Sequence, residues 1–264
     1  MLSMRLARHD MDASKSISKG QKELIGIFST LRDLNLDGKI VDRGSDQLGK
    51  GSSSDVFQAK LRQSGELVAV KRIRHFLLED ISFARSVGRE VRLWSRLKHP
   101  NVLPLIGYFL EGTMVIVNLV SRWMKNGTLK KYMSNCGPYG SLNTFQTCKM
   151  VMGIAAGLNY IHCTHRMIHA DLKCENILVS DGGEPLLADF GLSVSSSSTS
   201  LGDTTCHGEK GSLRWMAREL LSTPFNSSAL PKHTKMTDMW SFGMVISVSE
   251  IHLSKLQSGC LFMF

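Results

Sequence analysis

The spacing of apolar and polar positions changes character twice along the chain. Residues 1 to about 20 are mostly polar, and then "KELIGIFSTLRDL", Lys22 to Leu34, carries Leu24, Ile27, Phe28 and Leu31 at the three- and four-residue intervals of one helical face. A short leading helix is expected there. From Val41 to Val120 the period shortens to two, and "DVFQAKL", "ELVAVKRI" and "MVIVNLVS" read as strands separated by glycine-bearing turns. One helical stripe, Ala84, Val87, Val91 and Trp94, interrupts them. Beyond Gly127 helices dominate. The longest, Thr144 to His162, places Phe145, Cys148, Met152, Ala155, Leu158 and Ile161 on the face expected to be buried. A later run, Asp238 to Ile251, is apolar nearly all round and reads as a buried helix.

This pattern divides the chain into a polar N-terminal segment with its leading helix (1–39), a small β-rich lobe (40–121), a helical lobe (122–251) and a divergent tail (252–264). The lobes join between Ser121 and Gly127. No internal repeat is present, and the one low-complexity piece, "SVSSSSTS" from Ser193 to Ser200, is too polar to bury itself and reads as a mobile loop.

Composition alters this picture little. The 264 residues are 42% hydrophobic, enough for a substantial core. The formal charge of +9 favours anionic partners, but the basic residues are dispersed, which points to solvated surface rather than to nucleic-acid binding. No apolar run reaches the ~18 residues of a membrane span, and the charged start "MLSMRLARHDMDAS" is unlike a signal peptide. Six cysteines without metal-ligand spacing suit reduced thiols in the cytosol or nucleus.

The chemistry lies in four places. In "LGKGSSSDVFQAKL", Gly49 and Gly51 sit between strand-like pieces, where absent side chains let backbone amides approach a phosphate, although such glycine pairs are more often plain hairpins. In "VAVK", alternation puts Ala69 and Lys71 on one face of a strand and Val68 and Val70 on the other; a small residue beside a lysine suits a flat base next to its phosphates. Glu90 lies along the helical stripe, either buried and in need of a cation such as Lys71, or at the stripe's edge and solvated. Finally "MIHADLKCENILVS" and "PLLADFGLS" supply Asp171, Lys173, Asn176 and Asp189. Asp171 could accept a hydroxyl proton, Lys173 could neutralise a moving phosphoryl group, and Asn176 with Asp189 offers hard oxygen ligands for magnesium. Phosphoryl transfer is mostly positioning and charge neutralisation, and it requires this set of parts together.

"LGKGSSSDV", "VAVK", Glu90, "HADLKCEN", "DFG", "GSLRWMARE" and "TDMWSFG" follow one another in the order and approximate spacing of the eukaryotic protein kinase domain, which the chain resembles over residues 40 to about 251. The wording of "HPNVLPLIGYF" and "VSRWMKNGTL" is similar to the tyrosine-kinase-like branch, in particular its fungal members. The resemblance implies a bilobal α+β kinase fold, ATP and Mg2+ as cofactors, and protein substrates phosphorylated on serine or threonine, with dual specificity open. It implies that Gly49 and Gly51 cover the phosphates and that Val56, Ala69 and Leu178 sandwich the adenine. The backbone near Arg122 and Met124 would form the hinge, with Ser121 as a small gatekeeper before an open back pocket. It implies Lys71 paired with Glu90, Asp171 as catalytic base, Lys173 on the γ-phosphate, and Asn176 and Asp189 on magnesium. A stack of Leu105, Trp94, Phe190 and His169, anchored by Asp238, would link the lobes.

Departures from the pattern bear on activity. Ser54 replaces the third loop glycine, Ala170 replaces the arginine that precedes the catalytic Asp, and "ARE" at Ala217 to Glu219 replaces a proline motif. Ala170 removes a principal acceptor for phosphate on the activation segment, where Thr204, Thr205 and Ser212 lie. After Ile251 the pattern dissolves, so the helical lobe is expected to end after its F helix, with the helix from Asp238 to Ile251 losing some of its covering partners and Glu219 lacking its usual late arginine. An ATP-binding pseudokinase or scaffold is therefore the alternative to an active kinase. A small-molecule phosphotransferase shares the H-x-D-x-x-x-x-N loop but not "GSLRWMARE" or "TDMWSFG".

Overall fold

The computed structural model describes residues 18–44, 49–50, 54–74, 81–112, 116–135, 143–191, 194–195, 213–221 and 232–260, with backbone alone at 49–50, 194–195 and 250–260. Gly51, most of Ser193 to Ser200, and Thr204, Thr205 and Ser212 lie outside the described residues.

Helix α1 (Lys19–Ser29) opens with a reciprocal cap in which the Ser18 hydroxyl accepts the Gln21 N–H and the Gln21 side chain accepts the Ser18 N–H. It is shorter than the apolar spacing predicts. The Ser29 and Thr30 hydroxyls turn back onto the carbonyls of Gly26 and Ile27, and a tighter turn follows at Arg32–Leu34, so Leu31 is only half-buried.

Strands β1 (Ile40–Val41), β2 (Gly49–Lys50), β3 (Ser54–Leu61) and β4 (Leu67–Ile73) are followed by helix α2 (Ile81–Trp94) and strands β5 (Leu105–Glu111) and β6 (Ile116–Arg122). The strands form one antiparallel sheet in the order β1-β3-β4-β6-β5, with β2 added to β3. Its two faces differ as the period of two requires. Val68 and Val70 join Ala59 and Val120 in a small core of their own, whereas Ala69 and Lys71 turn the other way and are only partly buried.

The helical half comprises α3 (Leu129–Asn135), α4 (Thr144–Asn159), a π turn over Tyr160–Thr164, β7 (Met167–Ile168), β8 (Ile177–Val179), β9 (Pro185–Leu187), β10 (Val194–Ser195), α5 (Arg218–Leu221) and α6 (Lys235–Cys260). β8 and β9 form a hairpin, and β10 pairs with β7. The result is a bilobal α+β architecture. One apolar cluster runs through it, from Leu24 and Phe28 of α1 through α2 to α4, β8, β9 and α6.

Two helices turn faces to the core that their apolar spacing predicts only in part: Leu158 and Ile161 are buried as expected, and so are Phe242 and Val245 of α6. In α4 the buried residues are Thr147, Met150, Ile154, Gly157 and Leu158, while Phe145 and Met152 are 77% and 71% exposed and Cys148 is exposed. Contact depth explains the rotation. A Cβ on Gly157 would lie 2.6 Å from the Asn101 carbonyl oxygen, so the helix seats this glycine, between buried Ile154 and Leu158, against the chain that follows α2. In α6 the inner face carries Thr237, Asp238, Ser241 and Ser249, and Met236, Met239 and Trp240 are exposed. Polar residues face inward because backbone groups need them: the Ser241 hydroxyl donates to the Trp215 carbonyl at 2.7 Å. The helix continues to Cys260, past the change in sequence pattern at residue 252.

Candidate active site

Three elements converge on Lys71. Its ammonium, on β4, lies 3.1 Å from Glu90 Oε1 on α2 and 2.8 Å from Asp189 Oδ1, just after β9. Glu90 is buried, at 6% exposure, which settles the choice between core and solvated edge; Asp189 is about half-exposed at 47%. Burial alone would lower the Lys71 pKa, but the two carboxylates outweigh it and hold the ammonium protonated well above the usual lysine range. Burial raises Glu90, with Lys71 opposing, whereas the Lys71 charge holds Asp189 below the usual carboxylate range. Asp189 sits at φ 63, a region that Asp tolerates better than most residues and that here coincides with its ion pair to the lysine.

A second cluster forms within one short loop. Asp171 Oδ2 accepts from Lys173 Nζ at 2.8 Å and from the Asn176 carboxamide at 2.8 Å, and the same Asn176 nitrogen donates to the Asp171 carbonyl. The two clusters are tied by backbone, since the Ala188 N–H donates to the Asn176 carbonyl at 2.9 Å immediately before Asp189. Cys174 lies buried beside this loop, with burial pushing its thiol pKa up to about 12, so it is an inert packing group.

Asp238 of α6 holds the loop from beneath. Its carboxylate accepts the N–H groups of His169 and Ala170 at 2.7 and 2.9 Å and lies 2.7 Å from His162 Nε2. Ala170 has φ 67, costly for a residue with a Cβ, and this acceptor compensates it. His162 was not apparent from the sequence. It sits in the π turn, whose extra residue shifts the helical register, and apolar periodicity carries no sign of such a turn.

The other expected site residues are brought to the same region. Val56 lies opposite Lys71, Gly49 opposite Val56, and Ala69 opposite Ser121, which in turn faces Leu105 across the sheet. Ser121 and Met124 are buried, and Arg122, opposite Val68, points its side chain to Glu66 at 3.0 Å. Leu178 bridges Thr128 on β8, next to the Val179 N–H that donates to Gly127. Phe190 packs between His169, with ring centroids 5.4 Å apart, and Trp94 at 6.3 Å. A cavity of about 560 Å³ near Leu36, Ile40, Phe109 and Glu111 lies on the other side of the sheet and contains none of these residues.

The donor set fits magnesium. Among the described residues no three His, Cys, Asp or Glu side chains converge as a metal cage. The pair Asn176 and Asp189 instead offers one carboxamide and one carboxylate oxygen site, the sparse hard-oxygen set that suits magnesium completed by water and phosphate. No helix among the described residues is long and apolar enough to cross a membrane.

Comparison with known proteins agrees with the geometry. The protein kinase domain family model matches residues 43–253. An Aurora kinase of Dictyostelium discoideum is 32% identical over 199 residues, covering 75% of this chain and 47% of that protein. Serine/threonine-protein kinase Aurora-2 of Arabidopsis thaliana is 30% identical over 198 residues, 75% of this chain and 64% of that protein. An L-type lectin-domain containing receptor kinase of the same plant, VIII.2, is 31% identical over 204 residues, 75% of this chain and 26% of that protein. The chain thus spans less than two thirds of each relative's own length. With the family model matching most of its length, the chain belongs to the protein kinase domain family.

Proposed function

We propose that this chain transfers the γ-phosphoryl group of ATP to serine or threonine hydroxyls of proteins. One observation carries the reading. Lys71 is locked between Glu90 and Asp189 while Asp171, Lys173 and Asn176 share a second cluster one backbone hydrogen bond away. In that arrangement Lys71 holds the α- and β-phosphates and Glu90 fixes the lysine's reach. Asp171 orients the acceptor hydroxyl and takes its proton, and Lys173 neutralises the oxygens of the group in transit. Asn176 and Asp189 hold magnesium, which when bound shields the phosphate charge. Val56, Ala69 and Leu178 flank the adenine, Ser121, Arg122 and Met124 line its edge, and Gly49 with Gly51 covers the phosphates.

Serine and threonine are favoured because Lys173 follows Asp171 at this spacing and because two of the relatives above are Aurora kinases, one of them named a serine/threonine-protein kinase. The tyrosine-kinase-like branch rests on residue wording alone, and the names of the relatives do not set a branch. Free thiols at Cys148, Cys163 and Cys174 suit a reducing compartment, the cytoplasm or nucleus.

The test is transfer of labelled γ-phosphate, with magnesium, to mixed protein acceptors, followed by phospho-amino-acid analysis. Label on serine and threonine is expected, and Asp171→Asn should remove it while ATP still binds. A soluble chain that binds ATP and labels no acceptor overturns the reading.

A further inference from the structure

Helix α1 precedes the residues matched to the kinase family, yet it is among the best-packed elements of the molecule. Leu24, Ile27 and Phe28 are all buried. Ile27 enters a notch in α2 that exists only because residue 88 is glycine: a Cβ there would lie 2.2 Å from Ile27 Cδ1. Glu23 pairs with Arg85 of α2 at 2.9 Å, so a second contact fixes the register of the two helices. On its other flank α1 is fastened to the sheet. The Tyr108 hydroxyl of β5 donates to the Phe28 carbonyl at 2.7 Å, and the two rings lie 4.3 Å apart.

Gly88 and Glu90 are two residues apart, and at about 100° per residue they project from nearly opposite sides of α2. The side of α2 that receives Ile27 is therefore the back of the side that presents Glu90 to Lys71. Because α1 also bears on β5, a strand of the same sheet that carries Lys71, it can brace α2 against that sheet rather than merely cover it.

We propose that α1 is a built-in brace for the Lys71–Glu90 pair, with Ile27 a positioning residue for phosphoryl transfer that acts through Glu90. This rests on the kinase reading above, but its physical part does not. Removing the wedge lets α2 move back, which withdraws Glu90 from Lys71 and leaves the lysine to Asp189 alone.

The experiment uses the full chain with Ile27→Asp, and with Ile27→Ala in case the charge prevents folding. Hydrogen exchange reports on α2 without requiring catalysis. Exchange across residues 81–94 is expected to accelerate at least about tenfold in Ile27→Asp, while β8 and β9 keep their wild-type protection. In phosphoryl transfer, Ile27→Asp should lower kcat about tenfold in the wild-type background but less than about twofold when Glu90→Gln is already present, because both changes then remove the same interaction. Unchanged exchange in α2, or an undiminished effect of Ile27→Asp on top of Glu90→Gln, overturns the proposal. A wild-type chain that transfers no phosphate sinks the kinase reading alone, and the exchange measurement still decides whether α1 braces α2.

Discussion

The two charged clusters of the site are built in opposite ways. Asp171, Lys173 and Asn176 are neighbours in the chain, so their loop brings them together almost regardless of what lies beyond it. Lys71, Glu90 and Asp189 come from a strand, a helix and the end of a hairpin, and they meet only when both lobes are in place. The first cluster depends on local chain geometry; the second also reports whether the molecule is assembled. Losing a member of each should therefore have different consequences.

The largest expected effects separate them directly. Asp171→Asn should lower transfer by about 10²- to 10⁴-fold, the usual range for a positioned general base, with the melting temperature close to wild type. Lys71→Met should abolish transfer as fully and also destabilise the fold, because Glu90 and Asp189 lose the cation between them. For a sealed ion pair that loss is about 3–5 kcal/mol, and the half-exposed Asp189 reduces the expectation here to about 2 kcal/mol. Turnover and thermal melting of both variants check the contrast. Equal melting temperatures for the two would break it.

The same contrast governs what could be read in the sequence. The local cluster was legible because its spacing is its geometry, and the opposed faces of β4 were legible because a strand alternates sides whatever its neighbours do. The burial of Glu90 was not: Lys71 could be named as its cation, but a stripe on α2 does not say whether a residue along it is covered or meets solvent at the edge. Helices α4 and α6 show the limit most clearly. Their apolar spacing points to a face that includes Phe145 and Met152 in one and to a helix without a polar face in the other. The structure turns Met150, Ile154 and Gly157 of α4 inward, and in α6 it buries hydrogen-bonding residues beside Phe242 and Val245, because close backbone approach and unsatisfied carbonyls also decide those contacts. Ala170 was read as a lost regulatory side chain. Its backbone, held at φ 67 by Asp238, has a structural part that no side-chain comparison reveals.

Asp238 connects the two kinds of cluster, since a residue of distant α6 supports the local loop. Asp238→Ala would leave the His169 and Ala170 N–H groups without their acceptor, at about 1–3 kcal/mol for each buried donor. The expected outcome is a loss of stability larger than in Asp238→Asn, which retains one acceptor oxygen, and a fall in kcat in both. Thermal melting of the pair, read beside turnover, tests whether the loop is as self-sufficient as its sequence suggests. If Asp238→Ala melts like wild type, the loop needs no support from α6.

The smallest effect is the dependence on pH, and its sign distinguishes the clusters once more. In the wild type the Lys71 charge depresses Asp189, so its contribution to stability is present above the ordinary carboxylate range, near 4, and is lost as pH falls through the depressed value. Glu90 runs the other way. Burial raises it, so the folded state holds its proton longer than the unfolded chain does, and stability on its account declines as pH rises from the ordinary value through the raised one. In Lys71→Met the main opposing cation is gone, and burial and mutual repulsion raise the pKa values of both carboxyls, against the weaker pull of His169 and Lys173 on Asp189. Such a variant binds more protons folded than unfolded near pH 5, so its stability falls as pH rises from there. The gap in stability between wild type and Lys71→Met should therefore widen by about 1 kcal/mol from pH 5 to pH 8, measured by denaturant unfolding at each pH. Asp171→Asn, whose cluster lies in the loop and leaves that triad whole, should show no such widening. A parallel gap in both variants would mean that the lysine does not govern the two carboxylates and that the triad is no more an indicator of assembly than the loop.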